Sequence, residues 1–582
     1  MVFRDRALNL IHKVKTFLPL TGESPDRPSR LQIVLLGVLL VSMIIISLIN
    51  FNSYQLGTHF DDSRYVILAR SLLYNDHYAM VNFPAGPVPE RYPFGYPLLL
   101  VPFLWLFSEN LEVLKVLSLL ATIVNVIILF FGWRLFVHYK SYWWGLAYTS
   151  LYALSPMVID HTHRVMSEPV FMTFCLIAIL LAERYVAGRS SRLWTTWMSL
   201  VLFFVVYTRT IGIVLVGSVF LYLLLVIGRK FWIQILLILT QMALLMGLIV
   251  WLTPVQLTDL LPLEYLKDEN ARALVALPEA SLPDLPQGDP FQGEVVTPTS
   301  SADWTMKLNS LRDLFSFGVT QHFRSDVRVI ALPIGGGDRE QEIADHLGLS
   351  SLPILIGYLT SALVIGGVIR LWVRHGKSLF LLFAILYFAA IFFWYWNDPR
   401  LLYPIQVQIF MAFFAGLEGV IYLINRLIGR KSEILKPSSI LTVIMTLFII
   451  VSAYKSVLIQ DSRLHTGDLR TRTKWLLTHS LPTDIIMTEA PETDYLYTDR
   501  KTLNYPHPMA ASMEDLASYL NENQVTYILV APEIKWMKSY SPEYSPRTNR
   551  IIPLLESLVA QNRVKLAYSS DQELIQVFQV LR

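Results

Sequence analysis

Long apolar segments, separated by short polar connections, make up most of this chain. Segments long enough to cross a bilayer as helices occur at about 31–50, 111–136, 143–160, 168–186, 193–208, 210–228, 231–252, 352–371, 378–396, 400–424 and 438–458. Since a helix needs about 20 mostly apolar residues to cross the hydrocarbon core, the pattern predicts a polytopic α-helical membrane protein with about eleven transmembrane helices. A further apolar stretch at 96–107 is short and flanked by proline, and we interpret it as an interfacial or re-entrant piece.

The distribution of positive charge predicts which connections face the cytoplasm. Lys and Arg accumulate in alternate connections, at 4–30, 140, 184–192, 229–230, 370–377 and 426–436. By the positive-inside rule these connections are cytoplasmic, which places residues 1–30 inside as an N-terminal tail. The apolar segment that begins at Leu31 is followed by no cleavage site, so we expect an uncleaved signal anchor in the plasma membrane.

This orientation predicts three large pieces outside the membrane. Two are outer loops of the transmembrane domain (31–458), at about 50–110 and 253–351, and the third is the C-terminal region at 459–582. In the second loop we expect a flexible middle at 277–301, an amphipathic surface helix at 304–317 and a flexible turn at 335–338.

The C-terminal region has the pattern of a small soluble domain. It predicts strands at 484–488, 526–531, 565–568 and 574–580, and helices near 467–479, 513–521 and 552–560. These elements indicate an extracytoplasmic α/β domain without a phosphate-binding glycine motif. A supporting role and acceptor docking both remain open for this domain.

The amino-acid composition is typical of a membrane protein and limits the kinds of partner that we expect. Of the 582 residues, 54% are hydrophobic and 16% are charged, and the mean hydropathy is +0.46. The net charge of +3 is spread along short loops, so we expect membrane lipids and no nucleic acid as partners. Cys175 is the only cysteine, which excludes disulfides within the chain and cysteine metal sites.

Charged residues at the ends of the apolar segments are informative because a charge next to lipid is costly. Distant segments bring charged and imidazole side chains to the predicted outer face: Asp61, Asp62, Glu90, Arg91, His161, His163, Arg164, Glu168, Arg209, Asp398 and Arg400. Two structural explanations stay open, because aspartates cap helices and arginines anchor helix ends at the lipid surface. The mixture of acids, bases and imidazoles favours a functional site.

Such a mixture suits a phosphate that is linked to a lipid. Arginine binds phosphate oxygens through two parallel hydrogen bonds, and a carboxylate can take a proton from an attacking hydroxyl. Acids can also hold a divalent cation such as Mg²⁺, Mn²⁺ or Zn²⁺, with Asp61, Glu168 and His161 as the candidate ligands. The sequence leaves open whether a metal takes part.

Several of these motifs resemble the GT-C superfamily of integral-membrane glycosyltransferases, which use polyprenyl-phosphate sugars. The resemblance is to bacterial members related to the lipid A aminoarabinose transferase and the protein O-mannosyltransferases. The motifs that carry it lie at 61–65, 90–97, 164–169, 207–212 and 398–404. Three positions depart from the family pattern, since Asp62 stands where Glu is expected, Arg91 where Lys is expected and Tyr92 where Pro is expected.

The resemblance implies roles for individual residues. It implies that Asp61 or Asp62 is the catalytic base and that Glu168 is a further catalytic acid. It also implies substrate or phosphate contacts from Arg64, Tyr65, Glu90, Arg91, His163, Arg164, Arg209, Arg400 and Tyr403.

We therefore expect an inverting transfer of a sugar from a polyprenyl-phosphate donor to a hydroxyl or amine of an acceptor glycan, lipid or protein. A lipid or solute transporter is one alternative, and it would place its ionisable groups near the bilayer midplane. A non-catalytic cell-envelope assembly protein is another, and its outer acids could be replaced without effect.

Overall fold

A computed structural model describes residues 27–581, except 53–54, 60, 76, 88, 90–91, 108–109, 138–140, 189–192, 229–230, 254, 256–311, 313–314, 333–345, 347–348, 350, 376–377, 394–397, 429–436, 459–468, 507–511, 533 and 535–543. Several predictions therefore lie outside the described residues. They concern Glu90 and Arg91, the segments at 277–301 and 335–338, most of the surface helix at 304–317 and most of the tail at 1–30.

The first half of the membrane region is a series of apolar helices. Ser29 caps the first of them, because its hydroxyl accepts a hydrogen bond from the backbone N–H of Gln32. In chain order these helices are α1 (Arg30–Ile49), α2 (Asp61–Tyr74), α3 (Gly95–Leu106), α4 (Val116–Val137), α5 (Tyr142–Ala153), α6 (Pro156–Thr162), α7 (Glu168–Val186), α8 (Trp194–Thr208), α9 (Ile213–Ile227) and α10 (Trp232–Leu252).

The second half contains two segments of non-standard helix. A π-helix at Gly318–Asp326 continues directly into α11 (Val327–Ala331), and α12 (Leu352–His375) and α13 (Leu379–Phe392) follow. A 3₁₀-helix at Pro399–Ile405 then runs into α14 (Gln406–Ile428), and α15 (Pro437–Val457) ends the membrane region.

Within the described ranges, eight helical segments are long and apolar enough to cross a membrane, and the shorter α3, α8 and α13 are also apolar. This confirms the predicted polytopic helical architecture, while the number of eleven spans stays a prediction. The segment at 143–160 was predicted as one span and consists of two helices. Helix α5 ends at Ala153, and a new helix, α6, begins at Pro156.

Glycines let α12 and α14 approach each other with their backbones in contact. A Cβ atom on Gly367 would lie 1.7 Å from the carbonyl oxygen of Ala412, and one on Gly416 would lie 2.0 Å from that of Leu363. Small residues at a helix crossing allow this close packing in membrane proteins. The helix α14 of this crossing directly continues the 3₁₀-helix at Pro399–Ile405.

The C-terminal domain is a five-stranded sheet with helices packed on it. Its elements are α16 (Leu469–His479), β1 (Ile485–Met487), α17 (Pro491–Thr498), β2 (Lys501–Leu503), α18 (Met513–Glu522), β3 (Tyr527–Val530), α19 (Pro546–Ala560), β4 (Val564–Ser570) and β5 (Ile575–Val580). The strand order is β2-β1-β3-β5-β4, with β1 parallel to β2 and β3, and β5 antiparallel to β3 and β4. All four predicted strands are confirmed, and β2 and α17 are additional elements.

The C-terminal domain packs directly against the connection between α1 and α3 of the membrane region. An apolar cluster formed mainly by α2, α3 and their neighbours includes Leu496 of α17. The backbone N–H of Thr502 in β2 donates a hydrogen bond of 2.8 Å to the carbonyl oxygen of Asn82, which lies between α2 and α3. The helix that begins with Asp61 is therefore covered by the C-terminal domain.

Candidate active site

Asp61 stands at the start of α2, where its carboxylate bridges two other parts of the chain. One oxygen, Oδ1, accepts a hydrogen bond of 2.6 Å from the Tyr92 hydroxyl. The other, Oδ2, lies 2.7 Å from the Arg400 guanidinium, and the side chain keeps 22% of its surface exposed. A negative charge is also favourable in the first turn of a helix, since backbone N–H groups point toward it. Asp61 thus remains reachable while two partners hold its direction.

Asp62 is turned into the protein and holds the loop that precedes α2. Its two oxygens accept hydrogen bonds from the backbone N–H groups of Gly57 (2.9 Å), His59 (3.2 Å) and Ser63 (2.7 Å). Burial raises the pKa of the Asp62 carboxyl to about 6, although these hydrogen bonds act in the opposite direction. The structure therefore gives the two adjacent aspartates different surroundings.

Arg400 reaches Asp61 from the 3₁₀-helix that leads into α14. Asp398 caps this helix by accepting a hydrogen bond of 2.9 Å from the Arg400 backbone N–H. The same aspartate lies 2.5 Å from Nε of the Arg400 side chain, which is 24% exposed. Arg400 is thus shared between two carboxylates at a partly open position.

A second ion pair lies beside the first and joins α7 to the α8–α9 connection. Glu168 begins α7, and its Oε1 lies 2.5 Å from the Arg209 guanidinium. Arg209 also donates a hydrogen bond of 3.3 Å to the Ser167 hydroxyl, which is 2.9 Å from the hydroxyl of Tyr65. Arg400 is within electrostatic range of Glu168, so the two ion pairs form one charged cluster.

His161 adds an imidazole to the buried side of this cluster. Its Nδ1 lies 2.7 Å from the carbonyl oxygen of Met157, which can only accept, so Nδ1 carries the hydrogen. Burial lowers the pKa of the imidazole to about 4, which keeps the ring neutral near pH 7. Its ring packs against Tyr403 at 4.9 Å. Nε2 of His161 and Oε2 of Glu168 are buried acceptors that no described protein group satisfies.

Three of the residues expected to contact substrate have other partners. Arg64 donates to Glu492 at 2.8 Å and to the Tyr92 hydroxyl at 3.1 Å. Arg164 lies 2.5 Å from the Asp160 carboxylate and 3.2 Å from Nδ1 of His59. His163 is fully buried near Asp160. These side chains surround the cluster, whereas Asp61, Glu168, Arg209 and Arg400 form it.

Three side chains that contact the cluster or the residues around it were not named from the sequence as functional. Tyr92 lies inside the motif at 90–97, and Ser167 directly precedes Glu168, so both had a signal by position. Glu492 had none, because it belongs to α17 in a domain that the sequence pattern separates from the membrane region.

The possible metal-ligating atoms of the described residues do not make up a metal site. Within the described ranges no group of three or more His, Cys, Asp or Glu side chains could hold a metal ion. Among the predicted ligands, Asp61 has both oxygens engaged, and only one oxygen of Glu168 and one nitrogen of His161 are unsatisfied. We therefore derive no step through a metal.

No protein-family model matches this chain, and no curated protein matches it in sequence. Solved structures similar to it include the archaeal oligosaccharyltransferase AglB from Archaeoglobus fulgidus, in complex with an inhibitory peptide and a dolichol-phosphate. That pair has 11% identity and a TM-score of 0.47 over 84% of this chain and 69% of the other. ArnT from Cupriavidus metallidurans, bound to undecaprenyl phosphate, has 11% identity and a TM-score of 0.45 over 93% and 98%.

The oligosaccharyltransferase of A. fulgidus in complex with Zn and sulfate is also similar, with 10% identity and a TM-score of 0.46 over 84% of this chain and 67% of that one. These neighbours are GT-C membrane glycosyltransferases, the superfamily that the sequence motifs resemble. Every one of these TM-scores is below 0.5.

Proposed function

We propose that this chain is an inverting membrane glycosyltransferase. It moves a sugar from a polyprenyl-phosphate donor to a hydroxyl or amine of an acceptor at the outer membrane face. The observation that carries the proposal is the pairing of a partly exposed carboxylate, Asp61, with Arg400, directly beside the Glu168–Arg209 pair. This cluster combines a proton acceptor with two cations at the ends of apolar helices.

Arg400 and Arg209 are suited to the phosphate of the donor. Both guanidinium groups are partly exposed, and each has further N–H groups besides those held by carboxylates. Arginine binds phosphate oxygens bidentately, and fixed positive charge stabilises the negative charge that develops on a departing phosphate. The polyprenyl chain would lie among the apolar helices, whose outer faces carry exposed Leu, Ile and Val.

Asp61 is the residue that we assign as base. The acceptor hydroxyl attacks the anomeric carbon, and the bond from that carbon to the phosphate oxygen breaks with its electron pair. The hydroxyl proton passes to Asp61, and the polyprenyl phosphate leaves as the dianion. One displacement inverts the configuration at the anomeric carbon. Asp62 is not the assigned base, because it is buried and holds three backbone N–H groups of the preceding loop, whereas Asp61 keeps 22% of its surface exposed.

The buried acceptors of Glu168 and His161 suit the sugar itself. Oε2 of Glu168 and Nε2 of His161 can only accept hydrogen bonds in the state described above. Their partners therefore have to be donors, which the hydroxyl or amino groups of a sugar provide. Buried acceptors that are satisfied only by the correct ligand are an effective source of specificity.

The experiment that tests this proposal is transfer by the Asp61→Asn variant. Asparagine keeps the shape of the side chain but cannot take the proton, so kcat should fall by about 10²- to 10⁴-fold while expression and membrane insertion stay normal. Transfer is measured with purified protein in detergent, with radiolabelled polyprenyl-phosphate sugars as donors.

Asp571→Asn is the matched control, because Asp571 is exposed in the turn between β4 and β5, away from the cluster. It should turn over like the wild type. If Asp61→Asn turns over like the wild type, Asp61 is not the base. If the wild-type protein transfers sugar from none of the polyprenyl-phosphate donors, the proposed function is wrong.

A further inference from the structure

We infer that the C-terminal domain completes the active site, with Glu492 acting as a positioning residue for Asp61 through Arg64 and Tyr92. This inference rests on the proposed function, and it gives the domain a role other than acceptor docking. Four side chains form a continuous chain of contacts from α17 to the proposed base.

The first link joins the C-terminal domain to α2. Glu492 lies in the first turn of α17, and its Oε1 is 2.8 Å from both Nε and a terminal nitrogen of Arg64. Its side chain is only 5% exposed, so solvent screens this pair weakly. A buried carboxylate that meets two N–H groups of one guanidinium restricts the direction of the whole arginine side chain.

The second and third links run from Arg64 to Asp61. Arg64 donates a hydrogen bond of 3.1 Å to the Tyr92 oxygen, and the Tyr92 hydroxyl donates one of 2.6 Å to Oδ1 of Asp61. A guanidinium has no acceptor, so the Tyr92 oxygen must accept from Arg64 and its hydrogen is left for Asp61. The orientation of the hydroxyl is therefore determined by an arginine that Glu492 holds.

The same helix also holds the loop before α2. Thr493 donates a hydrogen bond of 2.7 Å to the carbonyl oxygen of Gly57, and Tyr497 donates one of 2.6 Å to that of Leu56. The N–H of Gly57 in turn binds Asp62. Thus α17 holds the backbone that precedes Asp61 directly, and it reaches the Asp61 carboxylate indirectly through Arg64 and Tyr92.

Position matters for a catalytic base more than for most residues. A carboxylate has to lie within hydrogen-bond reach of the proton that it takes, and a displacement of about 1 Å can cost about 100-fold in rate. Without the Glu492 carboxylate, Arg64 would also be able to turn toward Asp61 and compete with the acceptor for its oxygens. Loss of Glu492 should therefore act on the chemical step more than on donor binding.

The test compares two ion pairs that join the same two helices. Glu492→Gln removes the pair that leads to Asp61, whereas Asp499→Asn removes the Arg70–Asp499 pair, 2.8 Å long, whose aspartate is 71% exposed and does not lead to Asp61. We expect Glu492→Gln to lower kcat by about 10- to 100-fold with the donor KM nearly unchanged. Asp499→Asn should leave both constants unchanged, and Glu492→Asp should recover part of kcat.

A double variant separates a chain of contacts from two independent effects. Tyr92→Phe keeps the ring that packs edge-on against Tyr65 at 5.3 Å but removes the hydroxyl. If Glu492 acts through Tyr92, Glu492→Gln combined with Tyr92→Phe lowers kcat no further than the more damaging single change. Multiplication of the two single losses would contradict the inference.

A readout independent of activity is hydrogen exchange in the segment at 56–65. Glu492→Gln should speed exchange there, and Asp499→Asn should not. Unchanged exchange together with unchanged kcat would overturn the inference and leave the proposed function intact. A wild type without transferase activity would overturn the proposed function, and the exchange result alone would then decide whether α17 positions the start of α2.

Discussion

Asp61 and Asp62 are neighbours in sequence, yet their side chains have different roles: Asp61 is the proposed base, and Asp62 holds the preceding loop. Successive residues of a helix point about 100° apart, so one carboxylate faces Arg400 while the next faces the loop before the helix. Three backbone N–H groups around Asp62 hold that loop in place. The position of Asp61 therefore depends partly on Asp62, which makes Asp62 a structural neighbour of the proposed base.

The burial of Asp62 predicts a dependence of stability on pH. Because the pKa of this carboxyl rises from 3.8 to about 6 on folding, the folded state binds the proton more tightly than the unfolded chain between these values. This contribution is fully present below about pH 4 and is lost as the pH rises through about 6. Relative to Asp62→Asn, the wild type should lose about 2–3 kcal/mol of unfolding free energy over that window.

Thermal unfolding in detergent at several values between pH 4 and pH 7 measures this effect. The quantity to follow is the unfolding temperature of the wild type minus that of Asp62→Asn, which should fall with rising pH. The same difference taken against Asp571→Asn should stay level. A flat difference for Asp62→Asn would mean that folding leaves the pKa of Asp62 unchanged, and a rising one would mean that folding lowers it; either result contradicts the prediction.

Charge was the property that made the candidate cluster visible in the sequence. Asp61, Glu168, Arg209 and Arg400 stand at the ends of apolar segments, where a charge costs free energy without a compensating role. The structure joins these four in two adjacent ion pairs. Burial and pairing within the fold could not be read from one sequence, so the choice between Asp61 and Asp62 stayed open there.

Neutral groups and distant partners gave no such signal. Tyr92 and Ser167 carry no charge, and a tyrosine or serine near a membrane surface is common. Arg64 was expected at a phosphate, and the structure places it on Glu492, 428 positions further along the chain. Such a pairing depends on how the C-terminal domain folds and packs. The local pattern of apolar and polar residues carries no information about that packing.

At the scale of elements, the cluster is assembled where helices start or break. Asp61 and Glu168 begin α2 and α7, Arg209 lies between α8 and α9, and Arg400 lies in a 3₁₀-helix. Helix ends expose unpaired backbone groups and let side chains leave the helix axis. The packing of the helices against one another then decides where these ends meet.

The crossing of α12 and α14 gives an element-scale prediction. Gly367→Ala places a methyl group where the carbonyl oxygen of Ala412 already lies, so the helices have to move apart. Overpacking of this kind costs about 1–3 kcal/mol and should lower the unfolding temperature. Because α14 continues the segment of Arg400, transfer activity should fall with it. Thermal unfolding and donor turnover are the measurements.

Gly366→Ala is the matched control on the same helix. A Cβ atom at Gly366 meets nothing within 4 Å, so the change should be neutral or should stabilise the helix by about 0.5–1 kcal/mol. If both substitutions destabilise the protein equally, the close contact at Gly367 does not stabilise the packing of α12 against α14.

Length and periodicity predicted the long elements and missed some of the short ones. The spans near 31–50 and 438–458 agree with α1 and α15 within about two residues. The break at Ser155 was hidden in a continuous apolar run, although Pro156 marks the first turn of a new helix. Strand β2 is as short as β1, but its Lys-Thr-Leu sequence lacks the apolar run that made β1 visible.

At the scale of the whole molecule, the packing couples the orientation of the site to that of the C-terminal domain. Contacts of α17 with α2 put the domain on the same side of the membrane as Asp61. Helix α7 runs from Glu168 at the cluster to Val186 at its far end, and Arg184 lies in its last turn. From the positive-inside rule we predict that this far end is cytoplasmic and that the cluster faces outward.

Cysteine labelling in spheroplasts tests this orientation, with Cys175 as the only native cysteine and a buried one. Ser518→Cys places a thiol on the exposed face of α18, and Ala187→Cys places one just beyond α7. A membrane-impermeant maleimide should label Ser518→Cys in intact spheroplasts and Ala187→Cys only after permeabilisation, while the wild type stays unlabelled. The reverse pattern would put Asp61 in the cytoplasm, where a donor phosphate in the outer leaflet could not reach it.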